Sequence, residues 1–326
     1  MKTLVTGVAG FIGFHTANRL LDRGGEVVGI DCVNDYYSVE LKNARLEKLK
    51  AREGFRFYKL DLSDRQAYDE TRDAIAGISR AIHLAAQAGV RHSIEHPFDY
   101  VGANLVAHMT TLELCRHQPG FEHLVYASSS SVYGGNKKLP FSVDHRTDSP
   151  VSLYAATKLA NEHMSYSYAH LYGMPQTGLR FFTVYGPWGR PDMALYIFAD
   201  AIMNGRPIEV FNHGDMKRDF TFVDDIVTGV VAAHDNPPTT SDGAPHRVYN
   251  IGNHRSEPLM RLIEILENAL GRKAEVHMKP MQLGDVKESF ADIDAIRNDL
   301  GFEPTTPIDV GVPKFVEWFK AYNGYD

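Results

Sequence analysis

Tyr154 and Lys158 stand four residues apart in Tyr154-Ala155-Ala156-Thr157-Lys158, inside a helix-like run over Leu153–Tyr172. At 3.6 residues per turn, positions i and i+4 share one face. A phenol with a pKa of about 10 is a poor base at neutral pH, and a neighbouring ammonium favours the phenolate. The pair therefore reads as a general base for taking a proton from a hydroxyl. The same spacing occurs on helix surfaces that do no chemistry, so its meaning depends on what surrounds it.

Gly7-Val8-Ala9-Gly10-Phe11-Ile12-Gly13 follows the apolar run Leu4-Val5-Thr6 and opens a helical pattern that lasts to Arg23. Glycines there permit a tight turn and let a pyrophosphate approach the backbone, while the helix N-terminus supplies N–H groups and a positive dipole end. The spacing is GxxGxxG rather than the GxGxxG of the standard dinucleotide fingerprint. Asp31 closes the second strand, eighteen residues after Gly13. A carboxylate there accepts hydrogen bonds from the adenosine ribose and repels a 2′-phosphate, which favours NAD over NADP. Asp61-Leu62 closes the third strand beside the adenine; Asp61 also fits as the N-cap of the following helix.

These residues need a scaffold, and the first half of the chain supplies a repeating one. Apolar runs at Val27–Ile30, 55–60, 81–84, 124–127 and Gln176–Phe181 alternate with helical patterns. Such β-α alternation predicts a parallel sheet with helices on both faces. Beyond Tyr185 the order loosens, with Gly186-Pro187-Trp188-Gly189-Arg190-Pro191 and Gly205-Arg206-Pro207 as clusters of turn residues. Residues 235–245 read as an exposed loop. The expected plan is a large nucleotide-binding domain followed by a smaller, less regular one, with a cleft between them.

The 326 residues allow ample core, and 44% hydrophobic with 23% charged residues is ordinary for a soluble enzyme. A net charge of −7 argues against a broad nucleic-acid surface. Cys32 and Cys115 form no CxxC pair, so neither a metal knuckle nor a disulfide framework is expected. With no h-region after Met1-Lys2 and no run of 18 apolar residues, the expectation is a cytoplasmic protein. His92 and His96 have the spacing of a zinc pair, but Pro97 follows at once and no further ligand cluster is evident, so no metal is expected. Asp224-Asp225 sits where a strand hands over to a helix and reads as N-capping.

With the glycine loop, Asp31, Asp61-Leu62, the run Leu84-Ala85-Ala86-Gln87-Ala88 and Tyr154-x-x-x-Lys158 together, the chain resembles the extended short-chain dehydrogenase/reductases. These are the NAD-bound epimerases, dehydratases and decarboxylases of nucleotide sugars. The likeness covers nearly the whole chain and includes Ser128-Ser129-Ser130-Ser131-Val132-Tyr133-Gly134 and Lys217-Arg218-Asp219-Phe220. It implies an α/β fold, a Rossmann-like doubly wound parallel sheet with a smaller C-terminal α+β substrate-binding domain. Residues 1–183 would bind NAD, with 219–252 returning to that domain, and 184–326 would mainly bind the UDP-sugar. It further implies a tightly bound NAD, recycled each turnover, held by Gly7, Gly10, Phe11, Ile12, Gly13, Asp31, Asp61, Leu62, Ala85, Ala86, Ala88, Asn104, Tyr154 and Lys158. Ser129, Tyr154 and Lys158 would form the catalytic group, with Ser129 on the sugar 4-hydroxyl.

Within that family the 4,6-dehydratases carry Thr-Asp-Glu where this chain has Ser129-Ser130-Ser131, and UDP-glucuronate decarboxylases usually have Glu at the position of Ser131. No acid is available here, which leaves epimerisation at C4. The run from Phe181 to Ala194, with Ala88-Gly89-Val90-Arg91, resembles the UDP-glucuronate 4-epimerases; galactose-type enzymes have an Asn-containing motif where Thr183 lies. An arginine can meet a carboxylate bidentately. Arg190 with Thr183, Ser130 and Ser131 is the candidate cradle for a sugar carboxylate, and Arg91 a further candidate contact. For the UDP end the likeness points to Arg218 on the diphosphate, Asp285 of Gly284-Asp285-Val286 on the ribose, and the strand containing Val210 beside the uracil. Gln282 replaces the second arginine of galactose-type enzymes. The likeness also suggests a homodimer through a four-helix contact of residues 103–116 and 154–172. The alternatives left open are a 4-epimerase of neutral UDP-hexoses and a non-catalytic NAD-sensing protein, the latter disfavoured by the intact Tyr and Lys.

Overall fold

The structure is a computed structural model and describes residues 1–239, 243–282 and 285–325. Gly284 of the proposed ribose motif and residues 240–242 of the 235–245 loop lie outside the described residues. The strands are β1 (Lys2–Thr6), β2 (Glu26–Asp31), β3 (Phe55–Lys59), β4 (Arg80–His83), β5 (His123–Ser129), β6 (Gln176–Phe181), β7 (Thr183–Tyr185), β8 (Ile208–Val210), β9 (Lys217–Arg218), β10 (Phe220–Phe222), β11 (His246–Ile251), β12 (Glu257–Pro258), β13 (Val276–Met278) and β14 (Glu288–Ser289). Among the described residues, seven of them form one parallel sheet in the order β11-β6-β5-β4-β1-β2-β3. The order reverses at β1, which pairs with β2 on one side and β4 on the other. In such sheets ligands bind at the carboxyl ends beside that reversal.

Around the sheet lie α1 (Phe11–Asp22), α2 (Val39–Lys50), α3 (Tyr68–Ala74), α4 (His92–Glu95), α5 (Pro97–Tyr100), α6 (Ala107–Arg116), α7 (Leu153–Tyr172) and α9 (Val223–Asp235), which follows α8 (Ala194–Met203). The period-2 alternation of strands divides the core. Val5, Val27 and Val125 join Phe14, Leu46 and Val230 on one face. Their neighbours Leu4, Val28 and Leu124 join Ile75 and Leu112 on the other. The architecture is Rossmann-like, with helices on both faces.

A separate buried cluster unites α8, α10 (Leu259–Leu270) and α12 (Ile308–Asn323), through Phe198, Leu262, Leu266, Phe315 and Phe319. Between α10 and α12 lies the short α11 (Asp294–Leu300). The Asp219 carboxylate staples the two regions. It accepts hydrogen bonds from the backbone N–H groups of Asn253 (2.6 Å), His254 (3.1 Å) and Ala291 (3.0 Å) and from the Thr221 hydroxyl (2.9 Å). Among the described residues no helix is long and apolar enough to cross a membrane.

The Asp224-Asp225 expectation needs correction. Both lie in the first turn of α9, but the N-cap is Phe222 with no side-chain bond. Asp225 instead accepts from Thr305 N–H (3.2 Å), the Thr305 hydroxyl (3.2 Å) and Thr306 N–H (2.9 Å), so it anchors the C-terminal segment.

Candidate active site

One cleft of about 960 Å³ runs from the glycine loop, past Tyr154, to Arg218 and Asp285. Its floor begins at the carboxyl end of β1. Gly7 has φ +67°, a region that glycine enters without penalty, and a Cβ at Gly13 would lie 2.1 Å from the Gly7 carbonyl oxygen. Gly10 caps α1 with no side-chain bond, so the first N–H groups of the helix are left for another partner. The Asp31 carboxylate accepts from Ala9 N–H (3.0 Å) and Val33 N–H (2.8 Å). Burial raises its pKa, and those two bonds oppose the rise. Asp61 accepts from the N–H and hydroxyl of Ser63 at 2.8 and 2.7 Å, closing a turn. The helical turn Arg65–Ala67 is capped by Asp64, so N-capping belongs to Asp64 and not to Asp61.

Helix α7 positions the reactive pair. Ser152 is its N-cap, accepting from Ala155 N–H at 3.1 Å, and Gly173 ends it with a left-handed backbone. Lys158 is buried and donates to the Ala127 carbonyl at 2.9 Å, next to the serine segment on β5. Half-buried Tyr154 packs edge-on against Tyr100, ring centroids 6.0 Å apart. Burial pushes the Tyr154 phenol up, and the Ser129 hydroxyl and the Arg190 charge pull it back. Arg190 thus stands with Tyr154 and Lys158 along the same cleft.

Ser129 starts the turn Ser130–Tyr133, accepting from Ser131 N–H at 3.2 Å. A buried network holds that turn. The Ser128 hydroxyl donates to Glu162 (2.5 Å), Arg180 donates to both Glu162 oxygens (2.9 and 2.8 Å) and to the Tyr133 hydroxyl (3.0 Å), and Tyr133 donates to Asn250 (2.6 Å).

Arg190 lines the cleft and is not free. Its Nε and Nη2 donate to the two oxygens of Asp192 at 2.9 and 2.5 Å, and Tyr36 donates to Asp192 at 3.1 Å. Burial works against the Asp192 charge, but the Arg190 guanidinium holds its carboxyl below the ordinary range. Thr183 lines the same stretch, fixed by its N–H bond to the Asp219 carbonyl at 3.2 Å. Arg91 lies over the Phe211 ring, 5.1 Å from its centroid. Arg218 donates to Asp285 at 2.6 Å, so both candidate UDP contacts sit at one end of the cleft, paired to each other.

Of the residues expected in the site, all but Asn104 and Val210 line this cleft. Asn104 is buried behind it in a π-helical segment (Val101–Val106), bonded to the N–H and carbonyl of Gln87 at 2.8 and 3.1 Å and to the Thr157 hydroxyl at 3.0 Å. It braces the Ala85–Ala88 strand end against α7. The Val210 side chain is buried in the second core, and its neighbours Glu209 and Phe211 line the cleft instead. Tyr36 and Asp192 were missed; Asp192 stands only two residues from Arg190, which was the available signal. His92 and His96 gain Asp99 as a neighbour, their donor atoms all within 4.8 Å, and His92 Nε2 already meets the Asp99 carboxylate at 3.1 Å.

Lys158 carries a stability cost that can be measured. Burial pushes its pKa from 10.5 down to about 8. Below about pH 8 the NAD-free fold bears the full cost of a buried ammonium, and the cost fades as pH rises toward 10.5. Lys158→Met is expected to stabilise the NAD-free protein at pH 7 by about 2 kcal/mol, after allowing for the lost Ala127 bond. Urea unfolding at pH 7 and pH 10 checks this: the gain should shrink at the higher pH, while turnover is lost at both.

Residues 3–252 match the NAD dependent epimerase/dehydratase family. A probable UDP-glucuronate 4-epimerase of Rhizobium meliloti is 48% identical over 98% of this chain and 97% of that protein. UDP-glucuronate 4-epimerase 1 of Arabidopsis thaliana is 44% identical over 100% of this chain and 78% of that one. Among solved structures, UDP-glucuronic acid 4-epimerase from Bacillus cereus, in complex with UDP-glucuronic acid and NAD, superposes with a TM-score of 0.89 at 33% identity, over 99% of this chain and 100% of that one.

Proposed function

Because the chain belongs to the NAD-dependent epimerase/dehydratase family, we propose that it interconverts UDP-glucuronate and UDP-galacturonate through a transient 4-keto sugar, without net redox change. One observation carries the reading. Tyr154 and Arg190 line the same cleft, and in a uronate the C4 hydroxyl and the C6 carboxylate are separated only by C5. A base for the hydroxyl and a cation for the carboxylate therefore stand together, as this substrate requires.

The glycine loop fits NAD. Its turn leaves no room for a Cβ at Gly13, its helix N-terminus is free of side-chain caps, and Asp31 stands at the adjoining strand end. When bound, NAD supplies the hydride acceptor at C4 and the donor that returns the hydride to the other face of the sugar. Tyr154 takes the hydroxyl proton and later gives it back. Lys158 would hold the nicotinamide ribose, and Ser129 orients the hydroxyl. Arg218 and Asp285 are assigned to the diphosphate and the uridine ribose, with Phe211 and Arg91 along the same wall.

The 4-keto uronate is a β-keto acid, which loses CO₂ readily. Loss of CO₂ moves the carboxylate charge into the ring, so hydrogen bonds that hold the charge on the carboxylate oppose it. Ser130, Ser131, Thr183 and Arg190, which all line the cleft, form that polar cradle. Arg190→Ala is expected to raise the ratio of UDP-pentose to UDP-galacturonate by about tenfold or more, the value of a lost charged hydrogen bond. Thr183→Val should raise it by a smaller factor. Mass spectrometry of the products decides, and an unchanged ratio in both variants counts against the cradle.

Three further assignments belong to the same reading. Residues 1–183 with 219–252 form the NAD-binding unit, and 184–326 mainly hold the UDP-sugar. The protein works in the cytoplasm. It works as a homodimer through the 103–116 and 154–172 stretches, which expose Met109, Tyr166, Leu171 and Tyr172.

A further inference from the structure

We propose that Arg45 is a positioning residue for the carboxylate cradle: it ties the loop that carries Arg190 to the glycine loop, and so governs how much 4-keto sugar escapes as pentose. This rests on the reading of the cleft as a uronate site.

Arg45 lies on α2 with no exposed surface, and it forms no ion pair among the described residues. A buried guanidinium without a carboxylate is costly unless its N–H groups are satisfied. Here the carbonyls of two loops and the Tyr37 hydroxyl satisfy both Nη groups, and only Nε is without a partner. Nη1 donates to the Ala9 carbonyl at 2.8 Å and to the Tyr37 hydroxyl at 3.0 Å. Nη2 donates to the carbonyls of Trp188 at 2.6 Å and Gly189 at 3.3 Å. Ala9 is in the glycine loop, and Trp188-Gly189 directly precede Arg190. One planar fork therefore spans the cofactor loop and the substrate loop, a geometry that the point charge of a lysine does not reproduce.

The substrate loop needs such a tie. Trp188 has φ +61°, a conformation in which a bulky side chain is strained and persists only when its surroundings over-determine it. The surroundings come from the cofactor side. His15 on α1 donates to the Pro187 carbonyl at 2.9 Å, Lys48 on α2 lies over the Trp188 ring, and Tyr36 holds Asp192, which orients Arg190. Arg45 does not line the cleft. It acts on substrate only by fixing where Arg190 stands.

The test compares the NAD-loaded wild type with Arg45→Lys. Backbone hydrogen exchange reads the loop, steady-state kinetics separate KM from kcat, and product analysis gives the pentose fraction. The expected result is NAD retained, exchange over residues 187–192 faster by about tenfold, KM for UDP-glucuronate raised about tenfold with a smaller change in kcat, and a larger pentose fraction. Tyr37→Phe removes only one acceptor of the fork. It is expected to move the same readouts about two- to threefold, and it decides the matter where Arg45→Lys does not fold. The proposal is overturned if loop exchange and pentose fraction stay at wild-type values, or if protection is lost equally across the central sheet, which would mark Arg45 as generally structural. A wild type inactive on UDP-glucuronate, with loop exchange still dependent on Arg45, would instead refute the uronate reading and leave the tie standing.

Discussion

Tyr154→Phe is expected to stop epimerisation while NAD stays bound. The substitution removes one oxygen and keeps the ring that packs against Tyr100, so the cleft retains its shape. What it removes is the group that takes the C4 proton and returns it. Positioned acid–base groups contribute about 10²–10⁴-fold, and this one is used in both halves of the reaction, so kcat should fall toward the upper end of that range. The glycine loop, Asp31 and Lys158 are untouched, so NAD released by denaturing the variant should equal that from the wild type. Turnover by the variant at more than about a tenth of the wild-type rate would contradict the assignment, since even the lower bound for such catalysis is larger.

The largest effect on stability is expected from Arg180→Met. Arg180 and Glu162 face each other with side-chain exposures of 6% and 7%. Removing the arginine leaves a carboxylate buried with only the Ser128 hydroxyl for company. Breaking such a pair from one side costs about 3–5 kcal/mol, whereas replacing both partners by apolar groups is often nearly neutral. Urea unfolding should therefore show a large loss for Arg180→Met and a substantial recovery for Arg180→Met with Glu162→Met. Activity should not recover in the double variant, because Tyr133 has lost its Arg180 bond and with it one support of the Ser129 turn. A double variant as unstable as the single one would show that the buried charge is not the cause.

The same network marks where the sequence becomes hard to read. Strand β6 is buried at every position although it includes Gln176, Thr177 and Arg180. Gln176 Nε2, Thr177 and Arg180 find partners in Ser165, His123 and Glu162, which lie on other elements, while Gln176 Oε1 has none. Local patterns fared better. The glycine loop, the Asp31 strand end and α7 with its Ser152 cap depend on neighbours within a few residues, and their residue types declare them.

Side-chain pairing across the cleft is another matter. Arg190 was legible as a cation in a turn-rich loop, but its bidentate partner Asp192 and the Tyr36 hydroxyl behind it depend on how two loops meet. Arg45 carries no signal of its own in the sequence, because the carbonyl oxygens that bury it belong to residues 9, 188 and 189. Tyr154 and Lys158, spaced i, i+4 on α7, both line the cleft. That spacing could not reveal that Arg190, thirty-six residues past Tyr154, lines the same cleft.

Reversible oxidation at C4 of an acidic UDP-sugar, with a cofactor that never leaves, keeps the C4 hydrogen within the enzyme. It is tested most directly with the purified protein, no added NAD, and UDP-glucuronate deuterated at C4, followed by proton and deuterium NMR. UDP-galacturonate is expected to form with the deuterium still on C4 and none in the solvent. No conversion, conversion only with added NAD, or product that has exchanged its C4 deuterium for solvent hydrogen would contradict it.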